Sequence, residues 1–398
     1  MFAFCIFLLL FVAFSPLICT FAPMQEDKKH IVFIVNPISG TSSKKGFDKI
    51  VSKTLADDRF HYDIIRTEYA GHAAEIARQC AARGVDVCVA VGGDGTVNEV
   101  ARSLAGSATA LGIVPCGSGN GLARHLCLPM SMKKAVAVIA QGQTDTFDYG
   151  LINGHPFFCT CGMGFDAHVS LLFAQSGKRG LATYARMVLK EGMKYQPTSY
   201  ELTIEDEQGT TQHYDAFLIA CANAAQYGNN TYIAPGASMQ DGLLDVIIIE
   251  PFKGIGGPKV LMDLFTKTVK SNKHVRHLRA RRVHIHRPAD DAVHFDGDAT
   301  VMGTDIDVEI VPRQLRAIVN PKEIEDKAKP NPIADKLNKL LYNSSFAFAQ
   351  LGGVKGVKGV KGVKDDRLFI EKHSPMELKP TAKLSSLTPL TPLTPLTP

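Results

Sequence analysis

The sequence predicts an α/β N-terminal half built on a parallel sheet, followed by a second half that is mainly antiparallel β. Three observations carry this. From His30 to Val114, apolar β-rich runs alternate with helical spacing, and such a β-α-β-α rhythm needs a parallel sheet covered by helices on both faces. The run VCVAV at Val87 to Val91 is apolar throughout, as a strand buried on both faces must be, and it stops at Gly92-Gly93. From Thr144 onward short strands take over (TFDYGLING, SYELTIED, LLDVIIIE, DIDVEIV), with the hairpin dipeptide Asn153-Gly154 between two of them.

Taken in order, Met1 to Ala22 is an uncharged apolar run approaching the length of a bilayer span. It lacks the basic opening of a signal peptide, and Lys28 and Lys29 follow it, which would leave the rest of the chain in the cytoplasm. A membrane anchor and a translation start at Met24 are the two readings. His30 to Val35 reads as the first strand, ending in the turn Asn36-Pro37 and a loop, Ile38 to Ser43, rich in hydroxyls and amides. A helix at Phe47 to Leu55, a strand at Tyr62 to Arg66 and an alanine-rich helix at Gly71 to Ala82 follow, with Thr67 just past the strand end.

At Gly92 to Asn98 the glycines let the backbone turn and approach a ligand, and Thr96 is expected to N-cap a helix whose third position is Glu99. Free N–H groups at such a start suit an anion. The acid Asp94 among them points to phosphates accompanied by a divalent cation. The strand Ala110 to Val114 opens on PCGSGNGLARHL, a second amide-rich loop with Gly117, Gly119 and Gly121, which strand-end logic places beside the first. A helix around Val136 to Ile139 closes the first part near Gln143.

The second half carries two helical interludes, Leu181 to Lys194 and Lys259 to Thr268, and a second hairpin turn expected at Asp206 to Gly209. The run Lys267 to Arg287 is dense in Lys, Arg and His and reads as a solvated edge strand, with a membrane-facing patch as the alternative. Beyond Asn320 the GVK and LTP repeats offer little apolar surface, so this tail is expected to be disordered; a basic tether to anionic lipid is the other reading of GVK.

Composition excludes several classes. A net charge of +5 and a pI near 8.6 favour an anionic membrane surface but fall short of a nucleic-acid-binding balance. The nine cysteines are scattered, so neither a disulfide framework nor a zinc site is suggested, and a reducing compartment fits best. No Walker A loop, HRD or DFG motif occurs, and GMGFDA lacks the βαβ frame of a dinucleotide site.

GGDGTVNEV, preceded by VNPISG at Val35 to Gly40 and followed by GIVPCGSGNGLARHL at Gly112 to Leu126, resembles the diacylglycerol kinase catalytic-domain family, which includes bacterial lipid kinases and sphingosine kinases. The resemblance covers Lys29 to Asn320. It implies a NAD kinase/phosphofructokinase-like nucleotide domain at 29–143 and a β-sandwich-like lipid domain at 144–320, the last segment packing back on the first domain. Segments 1–23 and 321–398 fall outside it.

The implied activity is ATP-dependent phosphorylation of a lipid hydroxyl with Mg²⁺, diacylglycerol being the acceptor and a sphingoid long-chain base the alternative that GSGN suggests. The implied nucleotide contacts are Asn36, Thr67, Gly92, Gly93, Asp94, Gly95, Thr96, Val97, Asn98 and Ser118. Asp94 would orient Mg²⁺ or the reacting hydroxyl. A structural magnesium site maps onto the carbonyls of Ser238 and Leu243 and the carboxylate of Asp241. Asp298 in HFDGDAT takes the place of the base, where the family shows D-G-E. Partners are a membrane lipid, ATP and an anionic membrane surface at the cytoplasmic face, without nucleic acid and with a homo-oligomer left open. A NAD kinase-like enzyme with a soluble acceptor and a non-catalytic membrane adaptor are the readings from other classes.

Overall fold

A computed structural model describes residues 28–40, 43–177, 181–192, 194–205, 210–252 and 256–320. The apolar run at the start, the turn expected at Asp206 to Gly209 and the GVK and LTP repeats lie outside the described residues.

The first half alternates as its periodicity requires: β1 (Lys29–Val35), α1 (Phe47–Thr54), β2 (Phe60–Arg66), α2 (His72–Ala82), β3 (Val87–Gly92), α3 (Asp94–Leu104), β4 (Ala110–Pro115), α4 (Gly121–His125) and α5 (Met132–Gln141). β2, β1, β3 and β4 pair in that order, all parallel. Every residue of β3 and β4 is buried, so their apolar runs face helices on one side and the rest of the core on the other. Phe33 of β1 meets Phe47 of α1 edge to face at 5.7 Å, which fixes how the first helix lies on the sheet.

The second half comprises β5 (Thr144–Ile152), β6 (His155–Phe157), β7 (Thr160–Gly164), α6 (Phe165–Gln175), α7 (Leu181–Gly192), β8 (Thr198–Ile204), β9 (Thr211–Ala216), β10 (Leu218–Ala222), β11 (Leu244–Ile249), α8 (Gly256–Thr266), β12 (Val275–Ala280), β13 (Arg282–His286), β14 (Asp291–Phe295), β15 (Asp298–Met302) and β16 (Asp305–Ile318). Asn153 and Gly154, at φ 44° and 79°, form the tight turn between β5 and β6 that their dipeptide predicts.

β16 ties the halves together. Its end lies parallel to β4, with Ala317 opposite Leu111, while its body pairs antiparallel with β5 and β13. One sheet therefore runs β2-β1-β3-β4-β16-β13-β8-β9, with β5 attached at β16 and β6 at β5. A register shift between Val311 and Leu315 bends β16 at the crossing; Arg313 there is left-handed, and its N–H donates to Asp148 Oδ1 at 2.8 Å. The second sheet, β12-β11-β10-β7-β14-β15, is antiparallel throughout. Ile152, Met163, Ile219, Val246, Val283 and Val308 from the two sheets bury against one another, so this half is a β-sandwich.

The basic run divides. β12 is an edge strand of its sheet, as a charged run suggests, but β13 lies between β16 and β8. Arg287, read as solvated, is 1% exposed because its guanidinium donates to the carbonyls of Gly303, Ala292, Asp291 and Met302. Among the described residues no helix is long and apolar enough to cross a membrane.

Candidate functional site

Ligands of a parallel sheet gather beyond the carboxyl ends of its strands. Here four such ends lie side by side. The loop after β1 is bound to β3 by Asn36 N–H donating to Val91 O at 3.1 Å, and Thr67 after β2 is bound to β1 through Val35 O at 2.9 Å. Cys116 N–H donates to Gly92 O at 2.7 Å, so the loop after β4 leaves beside GGDGT. Asn36, Thr67, Gly92 to Asn98 and Ser118 are thus brought to one edge.

The helix after β3 starts earlier than its sequence suggests. It begins at Asp94, with Gly93 in extended conformation as the N-cap, and Thr96 is its third residue. Thr96 therefore does not cap: its Oγ1 accepts from Asn36 Nδ2 at 3.1 Å. Glycine can serve as the cap because its extended backbone already turns the chain into the helix, leaving the first amides open. Gly95 is exposed, whereas Val97 is buried in the core and closes the first turn through Gly93 O at 3.1 Å.

Asp94 joins the two glycine loops. Its Oδ2 accepts the N–H of Asn120 at 2.9 Å and its Oδ1 that of Gly121 at 2.8 Å. A Cβ on Gly119 would stand 2.7 Å from Asp94 Oδ2, and one on Gly117 would stand 2.8 Å from Gly93 Cα, so only glycine lets the loops meet this closely. Asn120, left-handed at φ 51°, staples its loop from within: Gly117 N–H donates to its Oδ1 at 2.9 Å and its Nδ2 donates to Gly117 O at 2.7 Å. Ser118 stays exposed at the loop's tip.

Asp94, Asn98 and Arg102 occupy positions i, i+4 and i+8 of α3 and so form one stripe. Asn98, buried, donates from Nδ2 to Asp296 O at 3.4 Å. Arg102 Nη2 lies 3.1 Å from Asp298 Oδ2, its Nε donates to Pro156 O at 3.2 Å, and its guanidinium covers the Phe295 ring at 5.1 Å. The stripe thus runs from the glycine loops to the turn between β14 and β15. Asp298 is half-exposed there.

Asp296, two residues before Asp298, builds that turn. It is left-handed at φ 54°, and its carboxylate accepts the N–H groups of Phe158 and Cys159 at 2.7 Å and of Thr160 at 3.1 Å. Burial pushes its carboxyl above the usual carboxylate value, opposed in part by those three donors.

Ser238, Asp241 and Leu243 lie on one turn before β11. Ser238 Oγ accepts Gln240 N–H at 3.2 Å, Asp241 Oδ1 accepts Leu243 N–H at 3.1 Å, and Asp241 Oδ2 is paired with Arg279. The fully buried Asp148 holds this turn to β16 by accepting Gly242 N–H and Arg313 N–H, each at 2.8 Å.

Sequence reasoning missed Arg102, Asn120, Asp148 and Asp296. The helical spacing from Asp94 would have flagged Arg102, and the Asp-Gly turn in HFDGDAT would have flagged Asp296. Asp148 carries no local signal.

The diacylglycerol kinase catalytic domain matches residues 30–152, and the YegS C-terminal NAD kinase beta sandwich-like domain matches residues 159–319. A protein of Chromohalobacter salexigens named "Probable lipid kinase YegS-like" is 29% identical over 245 residues, covering 60% of this chain and 78% of that relative. A diacylglycerol kinase of Mycobacterium tuberculosis is 29% identical over 279 residues, covering 67% of this chain and 88% of that enzyme. The crystal structure of a diacylglycerol kinase from Bacillus anthracis shares the fold, with a TM-score of 0.57 at 19% identity over 74% of this chain and 98% of that one.

Proposed function

Since the chain belongs to the diacylglycerol kinase catalytic-domain family, we propose that it is an ATP-dependent lipid kinase whose acceptor is the hydroxyl of diacylglycerol. The observation that carries this reading is the α3 stripe, which begins among amides suited to phosphate and ends on the half-exposed carboxylate of Asp298. Phosphoryl transfer needs both: groups that hold the nucleotide and an acceptor for the hydroxyl proton.

In the reaction the lipid oxygen attacks the γ-phosphorus, the bond to the β,γ-bridging oxygen breaks, and ADP leaves. The hydroxyl proton passes to Asp298, which Arg102 positions. The open amides at Gly95 and Thr96 bind phosphate oxygens, and Asp94 keeps the second glycine loop closed beside them. Asn36, Thr67, Asn98 and Ser118 complete the nucleotide edge.

Bound Mg²⁺ would neutralise charge developing on the phosphates. Asp94 fits a place beside it, since each of its oxygens accepts one N–H and keeps a lone pair. Asp241 is already neutralised by Arg279, so a cation at Ser238, Asp241 and Leu243 would have to displace that guanidinium. No step is assigned to it. We assign nucleotide binding to 29–143 and lipid binding to 144–320, with the net charge of +5 favouring approach to an anionic cytoplasmic leaflet.

ADP release in mixed micelles tests the reading. Diacylglycerol should stimulate release well above the lipid-free rate; equal release with and without every lipid in a panel that includes a long-chain base would remove lipid as the acceptor.

A further inference from the structure

We propose that His30, His61 and Asp63 bind a transition-metal dication of the zinc type on the exposed edge of the parallel sheet. The site lies at the amino ends of β1 and β2, the opposite ends of these strands from Asn36 and Thr67.

The register builds it. His30 and His61 stand directly opposite each other on adjacent parallel strands, and Asp63, two residues past His61, falls on the same face. β2 is the outermost strand of its sheet. The side chains of His61 and Asp63 are 62% and 50% exposed and that of His30 35%, so the face is open to an ion. The backbone of His30 is pinned from the far side, its N–H donating to Asp86 Oδ2 at 2.8 Å.

The donors converge on one point. Asp63 Oδ2 lies 2.8 Å from His30 Nε2 and 3.9 Å from His61 Nε2, and the two imidazole rings stand 4.7 Å apart. In a tetrahedral zinc site with bonds of about 2.0 to 2.2 Å, ligand atoms are separated by about 3.4 Å. The two observed distances bracket that value, so small side-chain rotations on a fixed backbone suffice. Among the described residues this is the one group of three or more His, Cys, Asp or Glu whose ligand atoms all lie within 4.8 Å of one another.

Two imidazoles and one carboxylate suit Zn²⁺, Co²⁺ or Cu²⁺ and are a poor match for Mg²⁺, which prefers oxygen ligands. Water fills the fourth position. Coordination uses imidazole lone pairs, so any proton on a ligating nitrogen leaves to solvent when the ion binds. Bound there, the metal cross-links the edge strand to its neighbour and stabilises the fold without entering the phosphoryl transfer.

The test is calorimetric titration of ZnCl₂, with MgCl₂ alongside, into the untagged full chain. A saturable Zn²⁺ event is expected in the wild-type chain, weakened at least tenfold in His61→Ala and in Asp63→Asn and retained in a His284→Ala/His286→Ala chain. That last chain removes a second histidine pair beside Asp305 and Asp307. Zn²⁺ should raise the melting temperature of the wild-type chain and leave that of His61→Ala unchanged. Independently of any variant, the Co²⁺-loaded wild-type chain should show the intense visible bands of a four-coordinate ion. Identical isotherms for wild type, His61→Ala and Asp63→Asn, or a six-coordinate aqueous Co²⁺ spectrum, would overturn the proposal.

Discussion

Arg102 Nη2 stands 3.1 Å from Asp298 Oδ2, and the two residues are 196 positions apart in the chain. The helix that begins at the first glycine loop thereby fixes the acid assigned to take the lipid proton. Replacing Arg102 by Met removes the ion pair, together with the guanidinium's stacking on Phe295 and its hydrogen bond to Pro156 O. We expect kcat to fall about tenfold with little change in KM for ATP. Unfolding stability should change by less than about 1 kcal/mol, as for other solvent-screened pairs. A kcat equal to wild type would detach Arg102 from the base.

Asp94→Asn keeps the shape of the side chain but turns one acceptor into a donor that faces the N–H of Asn120 or Gly121. Steady-state kinetics should show kcat/KM for ATP reduced at least tenfold, about 1.4 kcal/mol, in a chain that still folds cooperatively.

Gly119 and Gly95 respond oppositely to a methyl group. Gly119→Ala places Cβ 2.7 Å from Asp94 Oδ2 and must displace the carboxylate that bridges the two loops, whereas a Cβ at Gly95 meets nothing within 4 Å. The first substitution should raise KM for ATP. The second should leave the melting temperature unchanged or raise it, since alanine is favoured over glycine in a helix by up to about 1 kcal/mol.

The extent to which this was legible in the sequence differs by element. β1, β3 and β4 announce themselves because a strand buried on both faces must be apolar, and Asn153-Gly154 because both turn residues need positive φ. The start of α3 was misplaced because a glycine N-cap carries no side-chain signature, so Thr96 looked like the better cap. The contacts of Asn98 with Asp296 and of Arg102 with Asp298 span 198 and 196 residues, and no local pattern encodes such a meeting. Arg287 misled for a related reason: a basic residue in a basic run reads as solvated until four backbone carbonyls are seen around it.

Asp296 sets a pH dependence. Its folded carboxyl titrates above the ordinary value of 3.8 because it is buried. The folded state therefore binds the proton more tightly than the unfolded state. The associated stability is present below the ordinary value and is lost as pH rises through the folded one. Urea unfolding at stepped pH should show the stability of the wild-type chain relative to Asp296→Asn declining as pH rises above the ordinary carboxylate value. A difference that grows instead would show that the three N–H donors outweigh burial.

The most direct measurement is transfer of label from [γ-³²P]ATP to diacylglycerol in mixed micelles, followed by chromatography of the extracted lipid, for the wild-type chain and Asp298→Asn side by side. The wild-type chain should produce labelled phosphatidic acid, and Asp298→Asn should do so with kcat lower by about 10² to 10⁴, the usual contribution of a positioned base. Wild-type protein that leaves the lipid unlabelled, or an Asn variant that labels it at the wild-type rate, would contradict the account.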